Sequence, residues 1–172
     1  MLNTSCNRDV LSGKPGSSGK TLELMVVANN AVYNNNTKMI LDSLFACPQE
    51  VLNQPEPLFD VVRLSPNQFN GNTMFQAHRN ILMLEVSSEN ANKAYLEYDK
   101  WSQPQVVMRV AARTEADLDS LLFVMYPRML RELYDSEYRR MAKVFAGMPN
   151  DEVNRKVNAK YGVNLLFPKE FV

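Results

Sequence analysis

Apolar runs of strand length alternate along this chain with stretches of helical spacing. Thr21–Ala28 begins in alternation and ends as the unbroken run Leu24-Met25-Val26-Val27-Ala28, which predicts a strand with both faces covered. Leu58–Leu64 predicts a second strand, ended by Ser65-Pro66, and Asn80–Val86, apolar on both sides, a third in a central position. Gln105–Ala111 predicts another, with a polar register at Arg109, and the weaker alternation Ala94–Asp99 an edge strand before it. The asparagine-rich segment from Asn29 to Asn36 supplies turns and an N-cap for a helix carrying Met39 or Ile40, Leu41, Leu44 and Phe45, with Pro48 just past its end.

Beyond Thr114, which with Asp117 resembles a helix-opening cap, one helical stripe runs through Leu118, Leu122, Met125, Met129, Leu133 or Tyr134, Tyr138, Met141 and Phe145. Pro127 removes a hydrogen bond within it, so the expectation is a kink or two abutting helices. Asn150 caps a last helix bearing Val153, Val157 and Tyr161 on one face. Gly162 ends it, and Val163–Phe167 reads as a final short strand.

The order of elements predicts an α+β fold: a two-layer sandwich, its sheet mixed but mainly antiparallel, its helices on one face, a decorated ferredoxin-like arrangement being one version. A doubly wound sheet is the weaker alternative, because neighbouring strands in the middle of the chain lack helical crossovers. Residues 1–20 hold three of the six glycines, several serines and little apolar content, and read as a flexible leader. Residues 21–172 then form a single α+β domain.

Composition narrows the functional classes. Nineteen basic and nineteen acidic side chains leave no net charge, so no overall field favours nucleic acid or an anionic membrane. One histidine and two distant cysteines, Cys6 and Cys47, supply neither a zinc site nor a disulfide framework, and Cys47 reads as a buried thiol at a helix end. GxGxxG, GxxxxGK[ST] and GxSxG are all missing, so no metal, no cofactor and no catalytic residue is assigned.

What remains is a polar cluster between the second and third predicted strands: Asp60, Asn70, Gln76, His78 and Arg79, with Glu56 and Asn80 nearby and Phe69 and Phe75 as aromatic neighbours. A histidine beside a carboxylate can move protons near neutral pH, and an arginine can clamp an anion through two parallel hydrogen bonds. The same residues could equally fix the loop at the start of the third strand. Trp101, Tyr95 and Tyr98 offer either an exposed aromatic face or ordinary packing of an edge strand.

QPEPLFDV from Gln54, FNG from Phe69 and HRNIL from His78, together with Gln103–Val107 and Lys160–Val163, resemble the start of an uncharacterised family of Bacteroidetes-type envelope lipoproteins, filed as a domain of unknown function, DUF4837. The resemblance covers Thr21 to the C-terminus and implies a longer natural protein. It also implies that Cys6 is acylated and that the leader is a tether, with the export signal trimmed from ahead of Cys6. The function expected on this basis is a non-enzymatic, lipid-anchored module of the cell envelope, facing the periplasm. Such a module would bind a partner protein or an envelope component through its sheet edge or the loop around His78, and would meet the membrane only through Cys6. The alternative is an enzyme for a small anionic or cell-wall-derived substrate, with His78 as acid or base, Arg79 as anion clamp and Asp60 orienting the imidazole. A third reading has the ligand site completed by a region beyond this chain.

Overall fold

The computed structural model describes residues 13–49 and 53–170; Cys6 lies outside them. Ten elements follow in order: β1 (Glu23–Val27), α1 (Asn35–Phe45), β2 (Asp60–Leu64), α2 (Pro66–Phe69), α3 (Thr73–Gln76), β3 (Asn80–Val86), β4 (Lys93–Tyr98), β5 (Val106–Ala112), α4 (Glu115–Gly147) and α5 (Asp151–Tyr161). The chain divides into two compact units, Met1–Met129 and Leu130–Val172, and the whole sheet belongs to the first.

The α+β class holds: five strands form one mixed sheet, ordered β2-β1-β3-β5-β4. The balance of directions differs from expectation, for β1–β2, β1–β3 and β3–β5 are parallel and only β4–β5 is antiparallel. Two connections account for this. α1 carries the chain from β1 to the parallel β2, and the segment between β2 and β3, read as a loop, winds into α2 and α3 and acts as the second crossover. β4 is an excursion at the edge, which lets β5 return beside β3 in the same direction.

Both sheet faces are covered, rather than one. Met25, Val27, Ile81 and Val107 point to the side where Phe69 is buried, with Leu64, Phe75, Met83 and Trp101 packed around them. Phe69 and Trp101 meet edge to face at 5.4 Å, so Trp101 belongs to this packing and not to an exposed aromatic surface. Strand alternation sends Leu24, Val26, Leu82, Met108 and Val110 the other way, under α1 and the first half of α4, which bury Leu41, Leu44, Phe45, Leu118 and Leu122. Phe45 joins these helices through an edge-to-face contact with Tyr126 at 5.4 Å. Cys47, just past α1, is a half-buried free thiol.

Local chemistry sets the helix ends. Asn34 caps α1 five residues before Met39, the first expected apolar position, by accepting from the Thr37 N–H at 2.9 Å. Thr114 accepts from the Asp117 N–H, while the shorter Asp side chain returns to the Thr114 hydroxyl at 2.8 Å. α4 runs through Pro127 as one helix; the carbonyl that the proline leaves without a donor belongs to Phe123, an exposed residue, where water can serve it. In the second unit Asn150 caps α5, and Gly162 closes it at φ 67°. The expected strand over Val163–Phe167 does not form, because the Phe167 N–H is taken by the Asn154 side chain at 2.8 Å and its carbonyl by the Asn150 N–H at 2.7 Å.

Thr37, on the buried side of α1, is 1% exposed and its hydroxyl has no hydrogen-bond partner. A desolvated, unbonded hydroxyl opposes folding. Thr37→Val keeps the branched shape and is expected to raise unfolding free energy by about 1 kcal/mol in urea titrations; a loss of that size would show that the hydroxyl is bonded.

Candidate functional site

β1, β3 and β5 are parallel neighbours, so their first residues come together at one end of the sheet. His78 lies two positions before β3 and Glu23 opens β1, and the register brings them into contact across 55 residues of sequence: imidazole Nε2 is 2.9 Å from the Glu23 carboxylate. Nδ1 is 3.0 Å from the Asn80 carbonyl and 3.3 Å from the Asn80 N–H. A protonated ring donates to the carbonyl, and a neutral ring with its proton on Nε2 accepts from the N–H, so both charge states are bonded in place.

Around this pair the polar groups are laced to backbone. Gln105, buried just before β5, donates from Nε2 to the carbonyls of Gln76 at 2.6 Å and His78 at 2.7 Å, and accepts from the Trp101 N–H at 2.9 Å. Ser102 donates to the Ala77 carbonyl, and Asn80 to the Glu23 carbonyl at 3.0 Å. A strap from the chain's beginning closes the group: Ser18 donates its N–H to Ala77 at 2.8 Å, Arg79 donates to Ser18 at 3.0 Å, and Gln103 donates to Pro15 at 2.9 Å. These residues, assigned by composition to the leader, lie bonded along the sheet's end.

Gly19 seals the imidazole. It adopts φ +97°, and a Cβ there would stand 2.4 Å from His78 Nε2. His78 is 4% exposed beneath it. Burial acts to raise the Glu23 carboxyl, but the hydrogen bonds from His78 and the Lys20 N–H, with the positive charges of both residues, outweigh it and hold the group below the usual carboxylate range. A sealed, fully bonded imidazole can fix three strand starts relative to one another; it presents no face to a substrate.

The expected cluster therefore divides. His78 is central, but its carboxylate is Glu23, not Asp60, which is exposed at the start of β2 and donates its N–H to Leu22. Gln76 contributes its backbone carbonyl. Arg79 is half-buried and holds Ser18 and Val106 through its backbone. Asn70 is exposed and ends α2. Glu23, Gln105 and Gly19 went unnoticed because each reads locally as a strand or spacer residue, and only the parallel register makes them neighbours.

A second feature stands at the sheet's edge. Across β3, β5 and β4, on one face, Glu85 pairs with Arg109 through two hydrogen bonds of 3.0 and 2.7 Å. The Arg109 guanidinium lies 5.5 Å from the centre of the Tyr95 ring, and Lys93 Nζ 5.3 Å from it. Tyr95 and Tyr98 are 40% and 52% exposed. Among the described residues, β4 has a hydrogen-bonded strand on one side only.

Residues 17–146 match the model of a domain of unknown function, DUF8532. That finding corrects the resemblance to the DUF4837 lipoprotein family: the quoted motifs are short and fall at turns, strand starts and a helix end, positions at which proline, glycine and asparagine recur for backbone reasons. No curated protein and no solved structure matches the chain.

Gly19→Ala should lower unfolding free energy by about 2–4 kcal/mol, combining a strained φ with a clash against a buried ring, while Gly13→Ala, with open space around its Cβ, should change it by less than about 0.5 kcal/mol. Because the folded Glu23 carboxyl titrates below its ordinary value of 4.5, its contribution is whole above that pH and is lost as pH falls through the lower, folded value. Urea titrations of Glu23→Gln across pH 3 to 6 should show a shallower acid loss than the parent chain; parallel profiles would refute the assignment.

Proposed function

The chain belongs to the DUF8532 family, and on that footing we propose that it is a non-enzymatic binding module that accepts an extended strand along the open edge of β4. The observation that carries this reading is the one-sided pairing of β4 among the described residues. The Asp99 N–H bonds the Gln105 carbonyl at 3.0 Å, and strand alternation then turns the backbone groups of Lys93, Tyr95 and Glu97 toward β5 and those of Ala94 and Leu96 outward. An open row of donors and acceptors is a template for strand addition, with alternate side chains setting the preference.

The other candidate surfaces support the choice. The segment entering β2, the opposite edge, is tied to the end of α1: Leu58 and Phe59 donate to the carbonyls of Cys47 and Phe45 at 3.0 and 2.7 Å. The single imidazole of the chain is closed off by Gly19. Lipid anchoring at Cys6 and an envelope address were expected from the lipoprotein resemblance, and strand capture at β4 stands without either.

The partner chemistry follows from the exposed face of β4. A strand added beside it meets Lys93, Tyr95 and Glu97 in turn, so it should carry an acidic, an aromatic or β-branched, and a basic residue at alternate positions. Titrating a capped peptide containing Lys-Thr-Tyr-Thr-Glu into the ¹⁵N-labelled protein should move the amides of Ala94 and Leu96 most, saturably, and proline at either threonine should abolish the response. Shifts confined to other elements, or none, would refute the reading.

A further inference from the structure

We infer that the strand accepted by β4 is β4 of a second copy of this chain, paired antiparallel about Tyr95; this rests on the reading of the β4 edge given above. The sequence Lys93-Ala94-Tyr95-Leu96-Glu97 is complementary to itself when reversed. Centred on Tyr95, the antiparallel register sets Lys93 opposite the partner's Glu97 and Glu97 opposite the partner's Lys93, with the two Tyr95 rings facing each other. A two-fold axis makes each contact twice, as an isologous interface requires.

Backbone polarity agrees with this register. Ala94 and Leu96 are the residues whose N–H and C=O groups point outward, and the same centring places Ala94 opposite the partner's Leu96 on both rungs. These become the hydrogen-bonded pairs. Lys93, Tyr95 and Glu97 then occupy the non-hydrogen-bonded positions, where facing side chains approach most closely, with Cα atoms about 4.5 Å apart. On the other face a small residue meets a large one. Slipping the register by one residue would send side chains to opposite faces, and slipping by two would set Glu97 against Tyr95.

Edge strands commonly resist pairing by carrying lysine or charges of one sign. Here the charges cancel in sequence and match in reverse. Lys93, Tyr95 and Glu97 are exposed, and the Glu97 carboxylate pairs with Lys100, three residues on, in a contact open to solvent. The Tyr95 ring is already steadied from its own copy by Lys93 and Arg109, which lowers the cost of ordering it against a second ring. The product is one sheet continuous through both copies.

Sedimentation velocity on the intact chain between about 10 μM and about 1 mM, the range in which a single strand edge of micromolar to millimolar affinity reports, should show monomer passing into dimer. Glu97→Lys and Lys93→Glu, each at an exposed position, should weaken self-association at least about tenfold, by placing like charges opposite one another. Mixed in equal amounts, the two variants should recover the dimer, since each charge again meets its opposite. A dimer indifferent to both substitutions, or a parent chain monomeric throughout, overturns the inference. If the parent stays monomeric while the Lys-Thr-Tyr-Thr-Glu peptide still shifts Ala94 and Leu96, the second copy is excluded and the edge reading survives. If the peptide also fails, both fall.

Discussion

The sheet depends on the contact between His78 and Glu23 at the place where its parallel strands begin. Parallel strands have no tight turn to hold their ends in register. A buried side-chain lattice takes over that task here, with the imidazole bonded to β1 through Glu23 and to β3 through Asn80, and Gln105 extending the lattice into β5. Low local dielectric strengthens these bonds and makes any unbonded member costly, so the lattice favours one register over its neighbours. Gly19 is part of the same device, because only a residue without Cβ lets the strap pass over the ring.

Much of the fold was legible in the sequence, and the misreadings share a cause. Five strands, the capped α1, the long α4 and the Gly162 stop all follow from periodicity and cap chemistry, which are properties of a few adjacent residues. Strand direction is set by how the chain crosses the sheet. The Ser65–Arg79 crossover carries only two single turns of helix, too short for a periodic signal, so the parallel return of β3 was invisible. Val163–Phe167 has the composition of a strand and finds no strand to pair with, a reminder that an apolar run reports burial tendency and not a ladder.

The candidate site was half legible for the same reason. The only histidine of the chain was an obvious place to look, and its own neighbourhood offered Asp60 as partner. Distance in sequence misled: Glu23 is far along the chain but is brought to the ring by the start of β1, whereas Asp60 opens a strand one place farther across the sheet. The β4 edge carried the opposite kind of signal, weak as secondary structure but explicit in its order of lysine, tyrosine and glutamate. Function at such an edge is a matter of what a strand leaves unpaired, which alternation alone does not express.

The strap from Lys14 to Ser18 has a consequence for the order in which the molecule assembles. Its hydrogen bonds go to Met74, Ala77, Arg79, Asp99 and Gln103, all of them at or beyond residue 74. During synthesis the strap leaves the ribosome before any of these partners exists, and it has nothing to lie upon until β3 has joined β1 and the turn before β5 has closed. Residues made before their partners are thus placed after them, and the imidazole stays open to water until the strap is laid across it.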